Sequence, residues 1–530
     1  MRRRDFVLGA LAGLAAPPIR WASAQTRAES LRVLSEAGPN SFDPIGLGVN
    51  RNAIQAHWNV YDRLVAFGVK PREDGTFYYD YFAIEPSLAE RYVISDDGRT
   101  LTFFLRGDAT FHDGSPVTAD DVKWSLDRVL ASPNGLAQFK TGSLTSPDQF
   151  VVLDERVITV TTPIADRFTL PNLALTYPAI FNAKLAKAHA SEADPWAAEW
   201  LKTNVAGGGP FKLDDYTPGQ LYRFQRFEAW RSGKPPGFKR VLWQIAPAAE
   251  ARRSALERGD ADLVQDLPPQ DAVTLSTDPK LKVVGAPMAG AFQFIGMNSQ
   301  LKPFDDIRVR QAIAYALPYE QMFEAALFKR GRPLFGGAPG EPTSLEFPQP
   351  LGYANDPVKA KALLAEAGLA GGFETTFSFE SSNAQVGEPV ALLVQEALAK
   401  VGVTVTINKV PAGQLGTLLE KKQVPFFFEA SIAFLADPDY FFRIFYHGAT
   451  RWNFGSYRNP EFAALVEKSR FEADKAAYGR DVRRMITLAK EEVPIILLWQ
   501  PSLDIGMQKT VEGYEYLFHR QLELRTLRRA

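Results

Sequence analysis

The side chains able to do chemistry in this 530-residue chain are numerous, but they do not fall into a catalytic pattern. Only five histidines occur: His57, His112, His189, His447 and His519. No two stand four apart, so no helical zinc pair is encoded. No Gly-x-Ser-x-Gly elbow is present to expose a serine nucleophile. The run Ala206-Gly207-Gly208-Gly209-Pro210-Phe211 offers backbone amides, but no Gly-Lys-Ser/Thr and no helix pattern follows it, as phosphate binding requires. There are no cysteines, which removes disulfides, thiolate metal sites, a cysteine nucleophile and lipid attachment through an N-terminal cysteine. Carboxylates are abundant, but spacing alone pairs none for acid–base work. What remains is contact chemistry. Aromatic residues make up 12% of the chain, with 37 Phe, 17 Tyr and 9 Trp. Aromatic walls with a few polar groups are the composition of a small-molecule cleft.

Those residues need a scaffold, and the stretch Ser95–Leu130 shows most clearly how it is built. Asp97-Gly98 and Asp113-Gly114 are turn pairs, because Gly accepts positive φ and Asp bonds its own backbone. Thr100 to Arg106, rich in Thr, Phe and Leu, reads as a strand. Thr118 reads as an N-cap, with Asp120 and Asp121 in the first turn where the helix dipole favours negative charge. Val122, Leu126, Val129 and Leu130 give that helix one apolar face.

This stretch, Phe-His-Asp-Gly-Ser-Pro-Val-Thr-Ala-Asp-Asp-Val followed by Ser-Leu-Asp-Arg, resembles the signature of the dipeptide/oligopeptide-type (family 5) extracellular solute-binding proteins of ABC importers. The resemblance covers almost the whole chain after residue 24. It is strongest at 81–130, 206–230, 292–316 and 440–470. It implies an α/β, two-lobed, type II-like periplasmic binding protein with a hinge and an accessory domain. It also implies that His112 and Asp113 are fold elements away from the ligand.

Length and order fit that expectation. A chain of 530 residues exceeds one core. Val403, Val405 and Ile407 alternate with Thr404 and Thr406, and helices flank them at Asp305–Leu317, Asp356–Gly368 and Ala391–Lys400. Such alternation argues for an α/β lobe with a mostly parallel sheet. Pro494–Trp499 reads as an apolar strand, and Lys70–Asp80 as a polar loop. The expected division is an export signal at 1–24, a first lobe from 25–65, 203–296 and 499–530, an accessory domain at 66–202, and a second lobe at 297–498. Crossings near Met297 and Trp499 would form the hinge.

Met1–Ala24 has a basic head, a short apolar run and Ala22-Ser23-Ala24 as a small-residue cleavage site. Arg3-Arg4-Asp5-Phe6-Val7 resembles a twin-arginine signal, with an ordinary secretory signal as the alternative. Removing 1–24 changes the formal net charge from −1 to −4, which argues against nucleic acid as a partner. No later run of about 18 apolar residues occurs. The expectation is a free periplasmic monomer with no cofactor and no metal, whose partners are a small solute and a membrane permease.

The resemblance nominates ligand residues. Glu36 and Gly38 lie in the first strand's Asp-Pro loop, which borders the cleft in the family. Phe292 and Phe294 lie on the strand entering the second lobe. Ser431, Phe434 and Asp437 stand around the family's Asp-Pro step. Arg451, Trp452 and Phe454 follow it with a cation and stacking faces. Peptide binders of the family carry Trp and Asp where this chain has Ser431 and Phe434, so the carboxylate for a peptide α-ammonium is missing. A peptide-like, opine-like or oligosaccharide-like solute remains. A secreted hydrolase on the same scaffold, or an exported scaffold without ligand, are the competing classes; substrate turnover or an absence of ligand-dependent compaction would distinguish them.

Overall fold

The computed structural model describes residues 27–46, 48–337, 342, 344–449, 452–517 and 522–530. Among these, one twelve-stranded sheet runs through the molecule, with smaller sheets of two, three and four strands. The large sheet has two halves. In one, Ser30–Ser35 lies parallel to Arg240–Ile245 and Leu263–Val264, and the hairpin Phe211–Thr217 and Leu221–Arg226 forms the edge. In the other, Phe373–Glu380 lies parallel to both Val403–Val410 and Phe426–Ile432. Helices Ile307–Ala316, Tyr319–Leu327 and Ala384–Ala399 accompany this half. The helix expected at 391–400 begins at Ala384, with Pro389 inside it.

One long strand, Ile495–Gln508, joins the halves. Its first part pairs with Ala291–Met297 and its second with Leu281–Pro287. Pairing therefore places Ala291–Met297 in the second half, against Phe426–Ile432, whereas the expected boundary left it in the first lobe. Periodicity marks a strand but not its neighbours; residues 288–290 link the strand paired with the second part of Ile495–Gln508 to the one paired with its first part. The ladder is already irregular at Gln293/Phe294, opposite Leu497–Trp499.

The signature stretch folds as its local chemistry dictates. Gly98 and Gly114 have φ of +69° and +89°. Thr118 caps Ala119–Ala131 in a reciprocal box with Asp121. This helix packs on a four-stranded sheet ordered Ala89–Ile94, Thr100–Leu105, Val157–Thr161, Phe150–Asp154. His112 Nε2 bonds the Gly209 carbonyl at 3.0 Å, and Asp113 accepts from Ser115 and Asn182. Both residues serve the fold. The glycine run also has a packing role: a Cβ on Gly209 would stand 2.5 Å from the Val60 carbonyl carbon, and one on Gly207 would overlap the Val60 oxygen. The segment 70–80, expected as a loop, instead belongs to a hairpin of Val65–Pro71 and Phe77–Pro86. Lys70, Glu73 and Asp74 are exposed, while Thr76 and Tyr79 are buried.

Candidate functional site

The register carries every parallel strand of both halves toward the crossing. Ser35, Ile245 and Val264 end the strands of the first half, and Glu380, Val410 and Ile432 those of the second. In open α/β sheets, ligands bind outside such carboxyl ends.

On the first side, Glu36 directly follows Ser30–Ser35 and is exposed, its amide donating to Asp266 Oδ2 at 3.1 Å. The Gly38 carbonyl accepts from Asn50 Nδ2 at 2.9 Å. A Cβ on Gly38 would lie 2.5 Å from the Tyr222 ring, so the loop approaches that ring as closely as only glycine allows. Asn50 also caps the helix Arg51–Val60, fixing its first turn beside the loop.

On the second side, Phe434 lies in the loop between Phe426–Ile432 and the helix Pro438–Phe445 and is half-buried. Its ring centroid is 5.9 Å from that of Tyr177, a residue from the 66–202 segment, at an interplanar angle of 37°. Burial pushes the Tyr177 hydroxyl pKa up, against the pull of Arg51. The contact joins the 66–202 segment to the second half of the large sheet. Tyr177 carries no periodic or motif signal, sitting in the irregular run Ala-Leu-Thr-Tyr-Pro. Ser431 is half-buried and stands opposite Phe292 in the ladder.

Other nominated residues are engaged elsewhere. Phe292 and Phe294 are fully buried inside the second half. Phe292 packs on Phe441 and Phe445 at 4.7 and 5.0 Å, and Phe294 on Phe454 at 4.9 Å. Phe454 in turn stacks on Phe445. All three rings belong to one buried core that also holds Phe441 and Phe445 of Pro438–Phe445. Trp452 is 40% exposed and meets Phe454 edge-on. Arg451 lies outside the described residues.

Asp437 has a structural assignment. It caps Pro438–Phe445 by accepting from the Asp439 amide at 2.8 Å, and accepts from the Tyr478 hydroxyl at 2.8 Å. Arg167 Nε lies 3.4 Å from its other oxygen. Burial raises its carboxyl pKa, with Arg167 and Tyr478 opposing. Both hydrogen bonds fall on Oδ1, Oδ2 faces Arg167, and the residue is buried.

Comparison with known proteins decides the class. The model of "Bacterial extracellular solute-binding proteins, family 5 Middle" matches residues 83–453.

The chain belongs to this family. As a member of this family it is an extracellular solute-binding protein. It is 27% identical over 491 residues to the probable D,D-dipeptide-binding periplasmic protein of Escherichia coli, covering 91% of this chain and 90% of the relative. It is 32% identical over 390 residues to heme-binding protein A of Haemophilus influenzae, covering 69% and 67%. A binding protein from A. tumefaciens R10, solved in complex with agropinic acid, shares the fold at a TM-score of 0.74 with 24% identity, over 94% of this chain and 99% of that one. No helix among the described residues of this family 5 protein is long and apolar enough to cross a membrane.

Proposed function

We propose that the solute site is the crevice between the two halves of the large sheet, bounded by the Glu36–Gly38 loop, Ser431 and the facing rings of Tyr177 and Phe434. The observation that carries this reading is that all the parallel strands converge there while an aromatic ring from each side meets at its border. The lobes close about the two crossings at 288–290 and 500–501, with 66–202 as an accessory domain moving with the first lobe. The protein binds without turning its ligand over, and ATP hydrolysis belongs to the permease. Residues 1–24 direct export to the periplasm by the twin-arginine route, and the released protein is a monomer with no lipid anchor.

The solute presents an apolar or sugar-like face to Phe434. The relatives' names span dipeptides, heme and agropinic acid, so the family scaffold accommodates varied chemistry. Native mass spectrometry of the periplasmic protein tests capture: a co-purified small molecule is expected. Small-angle scattering then follows its removal and return. An unchanged radius of gyration at saturation overturns the closure. Saturation at about 100 times the dissociation constant adds roughly 2.7 kcal/mol of stability.

A further inference from the structure

Asp166 and Arg167 are neighbours of opposite charge, and both reach the second half of the molecule. Arg470 Nη2 lies 2.6 Å from Asp166 Oδ2, with side-chain exposures of 8% and 0%. The same guanidinium donates to the Thr141 carbonyl and lies 4.4 Å from the Phe168 ring centroid. In the opposite direction, Arg167 stands 3.4 Å from Asp437 and 3.8 Å from Asp439. It donates to the Ser469 carbonyl at 2.9 Å and lies 4.1 Å over the Tyr478 ring. Each side thus contributes one cation and at least one carboxylate. Tyr440 supports the junction, donating to Gln138 Oε1 at 3.3 Å and meeting Phe168 edge-on.

The arrangement has one correct register. Sliding one side past the other would move Arg167 toward Arg470 and Asp166 toward the acidic pair. Burial sets the cost of losing a partner. A buried ion pair contributes little net stability over its hydrated parts, but removing one partner leaves an uncompensated buried charge, which is strongly unfavourable. Opening the lobes returns that charge to water.

We propose that Asp166 and Arg167 form a reciprocal latch with Arg470 and Asp437, holding the lobes in one closed arrangement that breaks open when either pair is lost. This rests on the two-lobed closure described above, and its test uses no solute, so it stands or falls separately from the choice of ligand.

The absence of native cysteines allows a unique spin-label pair on Asp148→Cys and Lys475→Cys, both exposed and on opposite sides of the junction. Double electron–electron resonance without solute is expected to show a short-distance population in the otherwise wild-type protein. Arg470→Met is expected to raise the long-to-short ratio at least tenfold, equivalent to about 1.4 kcal/mol. Arg470→Lys keeps the charge and is expected to restore much of the short population. Arg167→Met tests the second pair independently, and a cooperative thermal transition confirms that each variant is folded. A wild type without a short population, or variants with unchanged distributions, overturns the latch.

Discussion

Arg128 donates two hydrogen bonds to Asp43, Nη1 to Oδ1 at 2.8 Å and Nη2 to Oδ2 at 2.7 Å, with both side chains at most 2% exposed. Asp43 belongs to the Asp-Pro loop after the first strand, and Arg128 to the signature helix. The pair joins the loop carrying Glu36 and Gly38 to the body that carries Tyr177. Arg128 also donates from Nε to the Trp196 carbonyl at 3.1 Å. The planar guanidinium fork matches the carboxylate, which a lysine cannot do.

Arg128→Met is therefore expected to destabilise the fold by about 3–5 kcal/mol, since it leaves Asp43 as an unpaired buried charge. The double variant Asp43→Leu with Arg128→Met is expected to recover a large part of that loss. Urea denaturation of the three proteins measures both. Equal loss in the single and double variants would rule out the unpaired charge as the cause.

Phe434 makes a prediction about selectivity. A free α-ammonium placed beside this ring lacks a charge-assisted hydrogen bond of about 1.5–3 kcal/mol. Unmodified di- and tripeptides are expected to bind weakly or not at all. Phe434→Asp is expected to weaken the natural solute by removing ring contact and burying a charge. Calorimetry on both proteins checks this. Tight binding of simple peptides by the wild type would contradict it.

Glu515 makes the fold lose stability as pH rises from about 4.5 to about 7. Burial pushes its carboxyl pKa up from 4.5 to about 7, and Glu523 and Glu85 add repulsion that Arg525 only partly offsets. Between those values the native state keeps a proton that the unfolded chain has lost. The stabilising contribution of the protonated group is complete below 4.5 and is lost as pH rises through 7. Glu515→Gln removes this dependence. Its stability relative to wild type is expected to improve by about 2 kcal/mol between about pH 5 and about pH 8. Chemical denaturation at both pH values is the measurement, and a pH-independent difference refutes it.

Processing is expected after Ala24, leaving Gln25 as the first residue of the periplasmic form. N-terminal sequencing of the periplasmic fraction tests this, and recovery of intact Met1 there would contradict it. Replacing Arg3 and Arg4 by Lys is expected to block export if the twin-arginine route is used.

Features whose causes are local were legible in the sequence. The turns at Gly98 and Gly114 follow from backbone freedom, and the start of Ala119–Ala131 follows from Thr118 and Asp121 three residues apart. The alternation of Val403, Val405 and Ile407 located a strand because side chains alternate faces. Their order along the chain was enough for the family and the two-lobed class.

Which nominated side chains are buried or paired depends on contacts between distant segments. Phe292 and Phe294 share one strand face, but nothing in their spacing says that Pro438–Phe445, more than 140 residues later, closes over it. Asp437 looked available until Arg167 and Tyr478, both distant in sequence, were brought to its oxygens. Tyr177 became visible only when its loop was set against Phe434. The reason is common to all three. Local sequence fixes backbone conformation and the face a side chain takes, whereas burial, charge pairing and accessibility belong to whatever distant segment packs against that face.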